Sequence, residues 1–262
     1  MEEPINQIDH VLVQTKYAKE VFNILSETLD LPIAWDSKSY AGIFVSGGIS
    51  FGNINIEILN YAKIFKVLGL APNREGIIGI AFEPNNSIEK TCEILDELKI
   101  NHGKPKPFKG KVNGEKKVLW TNLFLKDILE KYQIFFCKYA FNQGDRRTKL
   151  NSELVEKKGG LIGIDYVKEL VIGCSDEKTL SLWRNISKEN KIEDDYISFE
   201  KGPEIKLIKS KKDSIISILI KVNSINKAKE ALLKNKGIII KDNNEIIIKT
   251  TEEQYLGLRL CD

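Results

Sequence analysis

The sequence IDHVLVQT at residues 8–15 decides the fold, because three apolar runs of similar length follow it along the 262-residue chain. These runs are IIGIAFE at residues 77–83, VKELVIGC at residues 167–174 and IISILIKV at residues 215–222. Each has the length and β-branched content of a strand. Each precedes a stretch in which apolar residues recur at helical spacing, and short strand candidates follow that stretch. The sequence therefore predicts a unit of strand, helix and short strands that occurs four times.

Such a unit is about the size of one supersecondary motif and is too small to bury its own sheet face. We therefore expect the units to pair, either within each half of the chain or across the halves. The length of 262 residues favours two domains. Apolar periodicity lapses after residue 143, which predicts a first domain at residues 1–143, a linker at residues 144–160 and a second domain at residues 161–262.

The composition is typical of a compact, water-soluble protein, with 42% hydrophobic and 29% charged residues. The 40 basic and 37 acidic residues give a net charge of +3, which predicts no nucleic-acid partner. No apolar run is long enough to span a bilayer, and the N-terminal MEEPINQ does not resemble a secretory signal. The four cysteines are widely spaced, as expected of free thiols in a reducing compartment. These features predict a cytoplasmic protein without a membrane partner.

Two strands of the first unit carry polar residues on a face where a ligand can bind. By strand alternation, the segment at residues 53–59 has one apolar face and one polar face, the polar side chains being Asn53, Asn55 and Glu57. On the first strand, His10 points to the opposite side from Val11 and Val13. An apolar face can lie under helices while a polar face lines a cavity. If the two polar faces agree, His10 and Glu57 converge.

A neutral imidazole and a carboxylate are common ligands of Zn, Fe, Mn or Ni, and two such ligands leave coordination positions for a substrate. His10 and Glu57 therefore predict a site for one divalent metal ion. Two other interpretations stay open. His10 can simply form a hydrogen bond with a buried Glu57, or Glu57 can face solvent on an edge strand.

Several short motifs resemble a known family. The stretches IDHVLVQT at residues 8–15, LPIAWD at residues 31–36 and GNINIEIL at residues 52–59 look like the first, second and ligand-bearing last strands of the vicinal oxygen chelate superfamily. That superfamily includes glyoxalase I, extradiol dioxygenases, fosfomycin resistance proteins and bleomycin-binding proteins. A closer resemblance is to glyoxalase-like proteins of undefined activity, through GIAFEP (79–84), NHGKPKPF (101–108), VLWT (118–121) and FFCKY (135–139).

The resemblance implies an α+β fold in which four βαβββ-type modules pair into two half-barrel domains of the glyoxalase, bleomycin resistance and dioxygenase type. In that family a metal is held by a histidine on the first strand and a glutamate on the last strand of contributing modules. Those positions match His10 and Glu57 alone. A metal there would act as a Lewis acid on a substrate with vicinal oxygens, and the general base would then be Glu57, Glu83 or a metal-bound water, among which the sequence does not choose.

The other units depart from the family pattern. In the second unit, Ile80 or Gly79 takes the place of the histidine, and Phe136 or Lys138 takes the place of the glutamate. The third and fourth units have Glu169 and Ser217 at the histidine position and the cations Lys206 and Arg259 at the glutamate position. A four-ligand site is therefore absent from the motif positions. We expect the second half to bind no transition metal, with its two cations neutralising Glu169.

The remaining candidate residues are polar or aromatic. His102 precedes a glycine in a predicted loop, where it is either a turn residue or a third metal ligand beside His10 and Glu57. On the strand that contains VLWT, Trp120, Asn122 and Phe124 share one face. The predicted ligand-binding residues are thus Asn53, Asn55, His102, Trp120, Asn122 and Phe136. The alternative for the aromatic side chains is an ordinary core.

Three functions are compatible with these residues. The first is a metal-dependent lyase, isomerase or dioxygenase that acts on a small molecule with vicinal oxygens. The second is a non-enzymatic binding protein, of the drug-sequestering kind, which requires a deep apolar cleft. The third is a fold-only interaction module, whose second half serves for docking or for a homodimer. The first function requires His10 and Glu57 at coordinating distance, whereas the third requires a filled first cup.

Overall fold

The structure is a computed structural model that describes residues 2–187, 192–193, 195–234, 239–242, 246–251 and 254–262. The helices in these ranges are α1 (Ala18–Asn23), α2 (Lys63–Val67), α3 (Ile88–Glu97), α4 (Gln143–Glu156), α5 (Glu177–Ile186) and α6 (Ile225–Lys234), with a π-helical turn at Ile24–Thr28. The first half contains strands β1 (Ile5–Gln14), β2 (Ile33–Tyr40), β3 (Phe44–Ser50), β4 (Asn55–Tyr61), β5 (Gly76–Pro84), β6 (Lys106–Val112), β7 (Glu115–Phe124) and β8 (Gln133–Tyr139). The second half contains β9 (Ile164–Cys174), β10 (Ile192–Glu193), β11 (Tyr196–Ile197), β12 (Glu204–Lys209), β13 (Ser214–Val222), β14 (Ile239–Asp242), β15 (Ile246–Thr251) and β16 (Gln254–Cys261).

Each half of the chain forms its own eight-stranded sheet. The first has the order β2-β3-β4-β1-β5-β8-β7-β6, and the second repeats it as β10-β11-β12-β9-β13-β16-β15-β14. The four apolar runs of the sequence are the central strands β1, β5, β9 and β13, and a helix follows each of them. Because β1 pairs with β5 and β9 pairs with β13, the strand pairing is within each half. The prediction of an α+β fold is confirmed.

The apolar faces of both sheets contribute to one core. Side chains that alternate along β1 and β4, such as Val11 and Ile56, are fully buried there. The ring of Phe82 on β5 lies 6.3 Å from that of Trp183 on α5 and 6.4 Å from that of Phe199. The two halves therefore pack together through core side chains, so the opposite face of the first sheet is left to line a cavity.

The predicted linker at residues 144–160 is largely helical. Helix α4 begins after Asn142, whose side-chain oxygen accepts a hydrogen bond from the Gly144 amide at 3.0 Å. The helix ends before Gly159 and Gly160, which both adopt positive φ. A Cβ at Gly159 would lie 2.2 Å from the Ile164 carbonyl oxygen, so this turn requires glycine. The segment between the halves is thus an ordered element that can contribute side chains to a site.

All four cysteines are free thiols, and those of Cys137 and Cys174 are buried. Among the described residues, no helix combines the length and the apolar character needed to cross a bilayer.

Candidate functional site

A cavity of about 380 Å³ lies on the inner face of the first sheet, and we call it the cup. Its walls are mainly aromatic, with rings from strands β2, β3, β4, β6, β7 and β8 and from Phe141, which precedes α4. Its volume is within the range of small-molecule sites. The buried part of its lining, the floor, contains His10, Leu12 and Leu59. The cup is therefore a concave apolar pocket with polar groups at its base.

His10 and Glu57 meet at the floor of the cup. The Nε2 atom of His10 lies 3.4 Å from Glu57 Oε2. The second carboxylate oxygen, Oε1, accepts a hydrogen bond from the Ser46 hydroxyl, which in turn accepts one from Trp35 Nε1 at 3.3 Å. The strand pairing explains this meeting, because β1 and β4 are parallel neighbours with Leu12 opposite Glu57. The structure thus brings together the two residues that the sequence singled out.

Asp9 contacts the Nδ1 atom of the His10 ring. Its Oδ2 atom lies 2.6 Å from His10 Nδ1, although adjacent residues in a regular strand point to opposite faces. The pairing of β1 with β5 shifts register between Ile8 and His10, so Asp9 is the extra residue of a β-bulge. The bulge re-aims the Asp9 side chain towards the imidazole. Each ring nitrogen of His10 therefore lies next to a carboxylate.

Helix α4 compensates the charge of Asp9, which is fully buried. The Nη2 atom of Arg147 lies 3.0 Å from Asp9 Oδ1 and also 3.0 Å from Glu83 Oε2. Gln143 donates from Nε2 to Asp9 Oδ1 at 3.2 Å, and the Tyr139 hydroxyl donates to Oδ2 at 3.2 Å. A buried carboxylate without such partners would be strongly destabilising. The segment between the halves therefore completes the site from behind the floor.

This network fixes the protonation of both central groups. Burial alone would raise the pKa of Asp9, but the hydrogen bond and charge of His10 and the charge of Arg147 lower it to about 2. Burial alone would lower the pKa of His10, but hydrogen bonds to Asp9 and Glu57 raise it to about 9. Near neutral pH His10 is thus an imidazolium that donates to Asp9 and Glu57.

The walls of the cup come from two opposite edges of the sheet. Phe108 and Trp120 stack with ring centroids 4.1 Å apart, and Tyr40 and Phe44 stack at 4.9 Å. The two pairs meet where the Tyr40 and Phe108 rings lie edge to face at 6.1 Å. One wall also carries a buried amide oxygen, Asn122 Oδ1, that has no hydrogen-bond partner within the described chain. These surfaces suit a planar ligand that can donate a hydrogen bond.

Of the eight predicted site residues, four line the cup and four do not. His10, Glu57, Trp120 and Asn122 line the cup. Asn55 lies on the same strand as Glu57 and is buried, but it is not a lining residue.

The other three predicted residues lie away from the cup. Asn53 pairs with the backbone of Val167 through hydrogen bonds of 2.8 and 2.9 Å and so joins the two halves. Phe136 is in the core against Phe82, because its neighbours on β8 take the inner face. His102 lies with Nε2 at 3.2 Å from Asp96 beside α3, so it does not join His10 and Glu57.

The second unit cannot supply the missing metal ligands. A register shift on β5 at Ile78 matches the bulge at Asp9, so Gly79 corresponds to His10, and Phe135 corresponds to Glu57. The expected residues Phe136 and Lys138 are therefore wrong, because they lie one and three positions after Phe135. A Cβ at Gly79 would lie 2.3 Å from the Gln133 carbonyl oxygen, which leaves no room for any side chain.

The donor set therefore does not fit a metal centre built from three or more protein ligands. Among the described residues, no group of three or more His, Cys, Asp and Glu side chains has the arrangement to hold a metal ion. His10 already donates to two carboxylates, and it would have to release a proton before it could coordinate.

The corresponding positions of the second sheet carry a different set of side chains. Its strand registers place Glu169 and Ser217 where the first sheet has His10 and Gly79, and Lys206 and Arg259 where it has Glu57 and Phe135. A hydrogen bond with Tyr196 and the charge of Glu169 raise the pKa of Lys206. Arg259 donates to the Ser217 hydroxyl at 3.4 Å. This face presents cations where the first presents a carboxylate.

Sequence patterns alone missed several residues of the site. Asp9 was hidden because strict alternation assigns it to the wrong face, and Arg147 because it lies in a stretch interpreted as a linker. The charged pair Arg146–Arg147 in an otherwise polar stretch was the one available signal. Ser46 had no recognisable signature.

Comparisons with known proteins support the fold. No family model and no curated protein sequence matches the chain. A hypothetical protein from Staphylococcus aureus has a similar structure, with a TM-score of 0.63 and 14% identity over 97% of this chain and 98% of that one. A variant of homoprotocatechuate 2,3-dioxygenase from B. fuscum has a TM-score of 0.56 and 10% identity over 99% of this chain and 73% of the dioxygenase.

A complex of homoprotocatechuate 2,3-dioxygenase from Brevibacterium fuscum with 3,4-dihydroxyphenylacetate also matches, with a TM-score of 0.56 and 9% identity over 99% of this chain and 82% of the dioxygenase. At these identities the likeness shows a shared fold. The chain therefore has the fold of an extradiol ring-cleaving dioxygenase.

Proposed function

We propose that the cup binds one small planar organic molecule, whose hydroxyl group donates a hydrogen bond to Glu57. The observation that carries this proposal is the 380 Å³ aromatic cavity with the His10–Glu57 pair at its floor. Stacking surfaces favour a planar ligand, and the few polar groups at fixed positions orient it. The fold-only interaction module is disfavoured because the first cup is not filled by its own side chains.

The floor is built to receive a proton-bearing group. Ser46 donates a hydrogen bond to Glu57 Oε1, and His10 Nε2 lies 3.4 Å from Oε2, so the carboxylate is held in place at the floor. A ligand hydroxyl at Glu57 would meet a fixed carboxylate oxygen that can accept its hydrogen bond. The unpartnered Asn122 oxygen offers a second acceptor on the wall.

The comparison with solved structures supports the ligand class. The dioxygenase structure with 3,4-dihydroxyphenylacetate shows that this fold can hold a hydroxylated aromatic ring. The present chain matches the fold at 9% identity, so its own ligand and chemistry are proposals. We interpret both sheets as paired βαβββ units, and we assign the binding cup to the first pair.

The test compares a blocked cup with a matched position on the second sheet. Leu12→Trp places an indole in the cup, whereas Leu219→Trp makes the same change on the second sheet, at the residue that pairs with Arg259 as Leu12 pairs with Glu57. Isothermal titration calorimetry with 2-naphthol would measure binding to each variant and to the unaltered protein. We expect saturable binding to the unaltered protein and to Leu219→Trp, and its loss in Leu12→Trp.

Equal binding of 2-naphthol to both variants would place the ligand outside the cup and overturn the proposal. No binding to the unaltered protein by 2-naphthol, together with no thermal shift from any planar phenol in a screen, would overturn it as well.

A divalent metal at His10 and Glu57 is the second candidate function. It is favoured by the 3.4 Å separation of the two donor atoms and by Asp9, which orients the ring as carboxylates behind metal-bound histidines do. The two donors are incomplete as a site, so we derive no reaction step through a metal. Metal analysis of protein purified without chelator or nickel resin decides the matter. About one equivalent of Fe, Mn, Zn or Ni, lost in both His10→Ala and Glu57→Ala, would establish this site, whereas no metal after supplementation would dismiss it.

A further inference from the structure

Two cations lie among the more exposed residues that line the cup, and neither contributes to the floor network. They are Lys38 on β2 and Arg146 on α4. The Nζ atom of Lys38 lies 5.4 Å from the centre of the Tyr40 ring. Burial and the charge of Glu57 raise the pKa of the Tyr40 hydroxyl, while the charge of Arg146 lowers it. Tyr40 is therefore within electrostatic reach of both the rim and the floor.

The guanidinium group of Arg146 is held in a fixed position at the rim. It donates a hydrogen bond to the Ala34 carbonyl oxygen, and its Cζ atom lies 5.7 Å from the ring centre of Trp35 and 5.9 Å from that of Phe141. Cation–π contacts of this kind orient the guanidinium plane without using its remaining donors. Arg146 thus keeps N–H groups available to a ligand.

The charges that line the cup do not balance. Glu57 is the one carboxylate among the lining residues, and it already has Ser46 and His10 as partners. Within the ranges that the structure describes, neither Lys38 nor Arg146 forms an ion pair, in contrast to Arg147, which binds two carboxylates. The rim therefore carries two positive charges that no lining carboxylate neutralises.

The two ends of the cup are joined by one aromatic side chain. The indole of Trp35 lies 5.8 Å from the His10 ring and 5.7 Å from the Arg146 guanidinium carbon. A ligand that occupies the cup beside this indole can therefore contact Glu57 with one substituent and Arg146 with another.

We propose that the cup selects aromatic carboxylates, with the ligand carboxylate bound by Arg146 and Lys38 at the rim and the hydroxyl bound by Glu57 at the floor. This inference rests on the proposed function and specifies its ligand class. Arginine suits the role because its planar donors match the two oxygens of a carboxylate.

A matched pair of probes tests the charge requirement. The acid 6-hydroxy-2-naphthoate and the amide 6-hydroxy-2-naphthamide share a ring system and a hydroxyl group and differ in charge. In calorimetric titrations at pH 7, we expect the unaltered protein to bind the acid on the order of tenfold more tightly than the amide, as for one charge-assisted hydrogen bond. Equal affinity for the two probes would overturn the inference.

Variants then locate the charge. Arg146→Gln should weaken binding of the acid more than binding of the amide and so remove the preference for the acid, whereas Arg146→Lys should retain part of the preference. Lys38→Gln should reduce the preference by a smaller factor. Lys149→Gln is the control, because Lys149 is exposed on the same helix and does not line the cup. An unchanged preference in Arg146→Gln, or an equal loss in Lys149→Gln, would overturn the assignment.

The outcomes separate this inference from the function on which it rests. Binding of 2-naphthol and of the amide with no preference for the acid leaves the cup as a binding site and removes the carboxylate requirement. Failure of all three probes to bind overturns both proposals.

Discussion

The two sheets share an order of strands and a core but differ on their inner faces. Val11, Ile80, Leu170 and Ile218 occupy corresponding positions on the four central strands, and all four are fully buried. One residue earlier on each strand, the side chains are those of His10, Gly79, Glu169 and Ser217. Adjacent positions of one strand thus follow different constraints.

This difference separates the positions that the fold constrains from the positions that can vary to form a site. Core-facing positions must all be apolar because each closes the same interior. Inner-face positions have no common requirement, so one sheet can present His10 and Glu57 while the other presents Glu169 with two cations. A short set of differences on one face therefore gives the two sheets different inner surfaces on a shared fold.

The largest expected effect on stability comes from replacing Arg147, which supports the inner face of the first sheet. Replacing it with methionine removes the cation that bridges Asp9 and Glu83 and leaves the buried Asp9 carboxylate without one of its two cationic partners. We expect a loss of about 3–5 kcal/mol in the free energy of unfolding, measured by urea denaturation. The control in the second half is Arg184→Met, whose pair with Glu177 is exposed and should contribute about 0–1 kcal/mol. Equal losses in the two variants would show that α4 does not stabilise the site through charge.

The next effect is a pH dependence that arises from His10 on the first sheet. The folded state raises the pKa of His10 from 6.5 to about 9, so the stabilisation is fully present below pH 6.5. It is lost as the pH rises towards 9, and the loss in unfolding free energy should be about 2–3 kcal/mol. His10→Gln should flatten this slope, and His102→Gln should leave it intact. Proton NMR of the two imidazoles measures the titration directly, and a His10 midpoint near 6.5 would contradict the network.

Much of the fold follows from the sequence, whereas the site depends on register. Alternation along β1 and the helical spacing after it are local patterns, so they predict strands and helices correctly. The bulge at Asp9 depends on how β1 pairs with β5, which no pattern within β1 specifies. The position of Phe135, where the sequence suggested Phe136 or Lys138, is likewise set by strand register. Arg147 contributes from a distant segment, and sequence spacing carries no information on such a contact.

A third prediction concerns the position that corresponds to His10. Gly79→Ala adds a Cβ that would lie 2.3 Å from a backbone oxygen, and the backbone of β8 cannot yield as a flexible side chain would. We expect a loss of about 1–3 kcal/mol in unfolding free energy. Gly103→Ala is the matched control, because its nearest contact is an ordinary 3.7 Å. A neutral Gly79→Ala would mean that a second ligand can be engineered there, and the asymmetry between the units would then be incidental.

The smallest expected effect concerns Asn122, whose replacement should weaken ligand binding without lowering stability. Its buried Oδ1 has no hydrogen-bond partner in the described chain, so Asn122→Leu removes a desolvated polar atom from the cup. We expect unfolding free energy to stay the same or rise by up to about 1 kcal/mol. The same variant should bind a planar ligand with two hydroxyl groups, such as 2,6-dihydroxynaphthalene, more weakly, because the wall loses an acceptor that the second hydroxyl would satisfy. Parallel urea denaturation and calorimetry of this one variant separate the two roles. A stability loss with unchanged binding would make Asn122 a structural residue, and the cup would then orient its ligand through Glu57 alone.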